Sequence, residues 1–226
     1  QDHLMAQALL NSVEDIRASL DYGGSLVFVH ENDQALWRWL GLVGALSVQI
    51  PEKFKVELID ALPGDSEAWW SRWELIDAFV ESIRWRSTDA FSSRTLEPFN
   101  ELPGDQIVSL LIELSASVEH PWNARFMHGN LFPRQLPERD AFWTISINRA
   151  TDDKSHPIHR LIDWCLRARS VPASFDTHML CAIVLTWCFT SSSRPIRDRA
   201  TKALTTILLV HPGIYGELLT LFEGVD

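Results

Sequence analysis

The stretch SSSRPIRDRATKALTTILLVHPG, Ser191 to Gly213, decides the reading of the fold. Three serines lead into a proline placed one step inside a helix, where its missing N–H removes no intrahelical bond. Ala200, Ala203, Leu204, Ile207 and Leu208 then recur at helical spacing on one face, and His211-Pro212 cuts the pattern off. Small residues on such a face let a neighbouring helix approach closely. A helix that opens abruptly, presents alanine and stops at His-Pro is suited to packing in series against other helices.

Elsewhere in the chain the same His-Pro punctuation recurs, at His120-Pro121 and His156-Pro157. Pro51, Pro137 and Pro157 each open a helical pattern, in PEKFKVELIDAL, PERDAFWTISINRA and PIHRLIDWCLRARS. DQIVSLLIELSASVEHP predicts a helix from an Asp105 N-cap to the Pro121 stop, because the residue before a proline is pushed out of the helical region. FDTHMLCAIVLTWCF is apolar almost throughout and reads as a buried helix. Nearer the amino end, Leu9, Val13, Ile16 and Leu20 keep helical spacing up to Gly23-Gly24, and Ser25 to His30 alone reads as extended. Helical patterns follow in ALWRWLGLVGALSV and, after Ser66, along Trp69, Trp73, Ile76, Phe79, Val80 and Ile83. Roughly ten helices joined by short turns account for almost the whole chain.

The fold class expected from this is all-α, a right-handed α-solenoid of degenerate HEAT/TPR-like helical hairpins, in which each hairpin buries its face against its neighbours. RPIRDRATKALTTIL is similar to the second helix of a HEAT-type repeat, with proline in the first turn, the Ile196-Arg197 pair and then the alanines. The polar, turn-rich run from Arg86 to Asp105 divides the chain. The expected organisation is a helical-repeat segment over 1–85, a linker or long loop over 86–104, and a HEAT-like helical-repeat segment over 105–226.

Composition narrows the function classes. Of 226 residues, 46% are hydrophobic and 22% charged, with ten tryptophans, which describes packed helices and not a disordered chain. A formal net charge of -10 disfavours general binding to nucleic acid or anionic membrane, since phosphate-tracking surfaces need excess Lys and Arg. Three cysteines without a preceding signal peptide point to a reducing, cytoplasmic setting. The apolar run Leu180 to Phe189 is about half of the roughly 20 residues a membrane span needs. The chain opens on Gln1 and stops just after a helical pattern, from which a fragment of a larger protein is expected.

Chemistry-bearing motifs are sparse. Neither a phosphate-cradling Gly-x-x-x-x-Gly-Lys-Ser/Thr loop, nor a Gly-x-Ser-x-Gly elbow, nor His-Glu-x-x-His occurs in the sequence. His156, His159 and Cys165 are the nearest approach to a metal set, but lack a matching cysteine pair and read more simply as structural. Cys181 and Cys188, seven apart, share a helix face and suit the core. Glu138 and Asp140 suit the positive end of the helix opened by Pro137, and Asp152 and Asp153 a solvated loop, more readily than acid-base catalysis. Gly23-Gly24-Ser25 reads as a turn, with an anion-binding nest as the alternative. Trp37, Trp39, Trp69, Trp70, Trp73 and Trp143 divide between core and surface, and adjacent Trp69 and Trp70 cannot share one helix side. No catalytic, cofactor-binding or metal residue is therefore assigned, and the partner-binding residues are not identified.

Two stretches carry a family resemblance: HPWNARFMHGNLFPRQLPERDAFWTISI, His120 to Ile147, and Leu161 to Leu204, with its LIDWCLRARS and LTWCFTSSSRPIRDRATKAL. Together they resemble the C-terminal helical part of the bacterial antiviral STAND NTPases, the Avs group, which are NACHT or AAA-like signal-transducing ATPases. The matching positions are Glu138-Arg139-Asp140-Ala141-Phe142-Trp143 and Arg197-Asp198-Arg199-Ala200-Thr201-Lys202-Ala203-Leu204. The resemblance implies a non-enzymatic helical-repeat sensor that binds a phage protein, the terminase large subunit or the portal, and so triggers oligomerisation of an ATPase elsewhere in the full-length chain, preceded by an N-terminal effector. No cofactor is expected for this segment. The other readings are a HEAT-like scaffold of a bacterial assembly unrelated to defence, and an α-helical enzyme with a deep pocket of convergent polar residues.

Overall fold

The computed structural model describes residues 80–84, 86, 88–91 and 104–225. The chain divides into two compact units, Gln1–Pro98 and Phe99–Asp226. In the first, residues 80–84 are helical, Thr88–Ala90 form a short 3-10 turn, and the Arg86 guanidinium donates back to Ser82 Oγ at 2.9 and 3.1 Å. The readings made for Gly23 to Ser25, Ser25 to His30, Trp37, Trp39, Trp69, Trp70 and Trp73 lie outside the described residues.

The regular structure of the second unit, where it is described, is all helical, joined by short turns. Its elements are α1 (Gly104–Leu114), α2 (Ala124–Leu131), α3 (Leu136–Arg139), a π turn (Asp140–Thr144), α4 (Ile145–Arg149), α5 (Pro157–Leu166), α6 (Phe175–Trp187), a 3-10 turn (Cys188–Thr190), α7 (Arg194–Val210) and α8 (Ile214–Leu221). Among the described residues there is no strand, so the chain is all-α as far as it is described.

The stretch from Ser191 to Gly213 folds as its pattern dictates. Pro195 sits in the first turn of α7, and Ile196, Ala200, Ala203, Leu204 and Ile207 are buried while Lys202 is exposed. Leu208 is only half-buried, at the edge of the stripe. The abrupt start is held by side chains from outside the helix. Ser191 Oγ donates to Asn148 Oδ1 at 2.9 Å, the Ser193 N–H donates to the same oxygen, and Asn148 Nδ2 donates to Ser192 Oγ at 2.7 Å. Thr151 Oγ1 reaches Ser193 Oγ at 2.7 Å. The serine run is thus a docking strip for the end of α4.

Two boundaries differ from the sequence reading. The helix expected to run from Asp105 to Pro121 starts at Gly104, with Asp105 inside the first turn, and stops at Leu114. Ser115 ends it: its Oγ donates to Ile112 O at 2.7 Å and its carbonyl accepts the Ala124 N–H at 3.0 Å, which turns the chain toward α2. That second helix has no counterpart in the sequence reading. Asn123 caps it, its Oδ1 accepting from Arg125 N at 3.0 Å, and Ala124, Met127, His128 and Leu131 are buried.

The π turn lies inside an otherwise continuous helix over 136–149, where Ile145 N–H donates to Asp140 O, five residues back. Trp143 falls within it, fully buried, and its indole N–H donates to Trp187 O at 2.9 Å.

Packing runs in a regular order. α1 packs on α2 and α5, α2 on α6, α5 on α6 and α7, and α6 on α7 and α8; α4 and the π turn flank α1. α6 is the innermost element, burying His178 through Leu185 without a break and then Trp187. The alanines of α7 sit where it meets α5 and α6, giving the close approach their size permits.

Candidate functional site

A groove of about 420 Å³ lies where the end of α1 meets α5 and α6. Ile112, Ala116, Pro157, Leu161, Trp164 and Cys181 form its apolar walls. Its charged side chains, Glu113 and Arg160, face each other at 3.1 Å and both are at least partly open to solvent. An exposed pair of this kind contributes about 0–1 kcal/mol, and its chemistry is that of a polar rim on an apolar slot. Such a slot accommodates an apolar group, with the rim setting its orientation.

The opening of α5 forms one wall. His156 Nδ1 accepts from Ile158 N–H at 3.3 Å and Nε2 lies 3.3 Å from Ser109 Oγ, so the ring caps α5 and ties it to α1. Burial holds its pKa below the ordinary histidine range, with Asp153 pulling the other way. One turn on, His159 Nε2 is 2.6 Å from Ala150 O and Nδ1 is 2.7 Å from an Arg199 nitrogen. A carbonyl only accepts and a guanidinium only donates, so Nε2 carries the hydrogen and Nδ1 the lone pair. Arg199 also bonds Asp163, which fastens α7 across α5.

The metal set considered from sequence does not converge. His156 and His159 are engaged as above, and the Cys165 thiol is pushed far up by its hydrogen bond to Cys181 and by burial. Among the described residues no group of three or more His, Cys, Asp or Glu side chains is placed to hold a metal ion. Cys165, Cys181 and Cys188 are all free and buried, and burial pushes Cys188 up to about 12, which makes it a core thiol and a poor nucleophile.

The acidic pairs go separate ways. Glu138 is exposed in the first turn of α3, whereas Asp140 accepts from Thr144 Oγ1 at 2.9 Å across the π turn. Asp152 and Asp153 are exposed, and Asp153 Oδ1 accepts from the Ser155 N–H and Oγ, bonds that hold its pKa below the ordinary carboxylate value.

Two groups of rings escape the sequence reading. In the first, Trp187 Nε1 donates to His128 Nδ1 at 3.2 Å, and Phe132, Phe222 and Arg139 surround the pair, with the Arg139 guanidinium carbon 5.7 Å from the Trp187 ring centre. Burial lowers the His128 pKa, and the Leu221 carbonyl opposes the shift. In the second, Trp164 lies against His178 at 5.4 Å, His178 against His211 at 4.9 Å, and His211 against Phe175 at 5.6 Å. These residues are scattered over the sequence, and helical periodicity alone gives no signal that they meet.

Comparison with protein-family models, with characterised proteins and with solved structures finds no match to this chain. Among the described residues no helix is long and apolar enough to cross a membrane.

Proposed function

We propose that the chain is a non-enzymatic, protein-binding helical-repeat module, the phage-protein sensor part of an antiviral STAND NTPase. The observation that carries the helical-repeat part is the order of packing. Helices α1, α5 and α7 contact in succession, as do α2, α6 and α8, while α1 meets α2 and α5 meets α6. Contacts in this order are compatible with stacked hairpins, and stacked hairpins present extended surfaces that read the shape of a folded protein. The sensing part rests on the resemblance in His120 to Ile147 and Leu161 to Leu204. The formal charge of -10 favours a protein target over nucleic acid, and the terminase large subunit or the portal is the target that the resemblance implies.

A sensor that covers a large target divides its affinity over many contacts, so this segment alone binds weakly. The test is deletion of 105–226 from the complete protein, followed by phage challenge and separate pull-downs of terminase and portal proteins. Loss of capture and of protection, with the shortened protein folded and abundant, is the expected result. Retention of both overturns the sensing role.

A further inference from the structure

The amino end of α6 and the carboxyl end of α7 meet through rings. His178 lies in the first turns of α6 with 1% of its surface exposed, and neither ring nitrogen makes a well-aligned hydrogen bond, although the Ser174 carbonyl is near enough to favour a proton on the ring. A buried polar group left unsatisfied is rare and costly, and calls for an explanation. The surroundings are aromatic: Trp164 of α5 on one side, and His211, which ends α7 and is itself backed by Phe175, on the other.

This nest favours a neutral imidazole, because burial and His211 outweigh what the Ser174 carbonyl offers a cation. From α5, Asp163 is committed to Arg199, and Arg167 Nε donates to the Asp163 carbonyl. Asp176, on α6 itself, and Glu217, on α8, are exposed. The titratable group that does face His178 is His211, from the end of α7, and its charge repels a second one. A proton on His178 would therefore sit desolvated beside a like charge.

We propose that the Trp164–His178–His211 contact is a proton-sensitive latch, holding the carboxyl end of α7 against α5 and α6 while His178 is neutral and releasing it when His178 is protonated. The segment released is suited to moving. α7 ends at His211, whose N–H still bonds Ile207 O, and Pro212-Gly213 then separates it from α8. Burial, and after it the charge on His211, keep the His178 pKa below the ordinary histidine value, while the Ser174 carbonyl opposes them. The latch is thus closed at neutral pH and opens on acidification.

Trp164 supplies the readout. With 5-fluorotryptophan incorporated and the Trp164 signal assigned through Trp164→Phe, fluorine NMR is followed from about pH 7.5 to about pH 5. The expected result is a Trp164 shift with one midpoint below the ordinary histidine range, together with faster hydrogen exchange at the last turn of α7. His178→Phe keeps a ring in the nest and removes the proton site, so both changes vanish. His211→Gln removes the neighbouring charge, so the midpoint moves to higher pH. A Trp164 signal that stays flat until the whole protein unfolds, or one that still titrates in His178→Phe, overturns the latch. Should His178→Phe not fold, His211→Gln decides by itself, because an unmoved midpoint is incompatible with the pair.

Discussion

Helices α6 and α7 lie side by side and are built on different principles. α6 buries residues around its whole circumference, whereas α7 buries a stripe of Ile196, Ala200, Ala203, Leu204 and Ile207 and leaves the remainder to solvent. The difference follows from their neighbours: α6 touches α2, α5, α7 and α8, and α7 rests on α5 and α6. An all-round apolar helix carries the stability of the unit, because every side of it excludes water. A one-faced helix with alanines at the contact carries distance and orientation, because small residues fix how near its neighbours come.

Substitutions at the two helices test this division. The largest effect is expected at Trp187, which is fully buried, donates to His128 and accepts the Trp143 indole at its carbonyl. Trp187→Ala should cost about 3–5 kcal/mol in denaturant unfolding, through the cavity and the bond lost to His128. A cost no greater than that of a surface change would remove α6 from the centre of the unit. On α7, Ala203→Leu overpacks the contact and should cost about 1–3 kcal/mol. Should it be neutral, the closeness of α7 to its neighbours is not set by its small residues.

The start of α7 gives a smaller test. Asn148→Ala strips partners from Ser191, Ser192 and Ser193 at once, and about 1–2 kcal/mol is expected, because Ser192 and Ser193 are open enough to recover some water whereas Ser191 is buried. A thermal shift confined to that range, with an unchanged helical circular-dichroism signal, is the outcome to look for. Acid adds a dependence with a defined sign. His128, His156 and His178 all have folded-state pKa values below 6.5. As pH falls below 6.5 the unfolded chain takes up protons that the folded chain refuses, so stability drops across the window between that value and each lowered pKa. A melting temperature that rises on going from pH 7 to pH 5.5 would contradict those shifts. Least of all, Lys202→Ala on the exposed side of α7 should stay within about 0.5 kcal/mol of neutral, and an effect equal to that of Ala203→Leu would mean the buried face is misassigned.

Some of this is legible in the sequence and some is not. α7 is readable because a single periodic face, a first-turn proline and a His-Pro stop all agree. α2 is not, because ARFMHGNL carries a glycine and polar residues that blur its period, and only Asn123 announces it. α1 ends early for a local reason: Ser115 bonds its own preceding turn, a competition that an apolar pattern does not record. His-Pro reads as a stop, yet at 120 and 156 the imidazole Nδ1 accepts the N–H two residues on, at 3.0 and 3.3 Å, and so opens the next turn of the chain as well. The His178–His211 contact joins residues 33 apart through tertiary packing, and spacing cannot report it.

The π turn at Asp140–Thr144 shifts the phase of the helix that contains it. One extra residue in a turn rotates everything after it by about 100° relative to an uninterrupted α-helix. The buried positions before Asp140 and after Thr144, Arg139 on one side and Ser146 and Ile147 on the other, therefore belong to different phases. Any reading of helical periodicity over 136–149 that assumes a fixed spacing loses its frame at Trp143, the residue the insertion turns inward to meet Trp187. The blurred periodicity of the sequence is in this respect the imprint of a single inserted position, and a gap of one residue placed at 140–144 is the correction that brings the two halves of the helix back into phase.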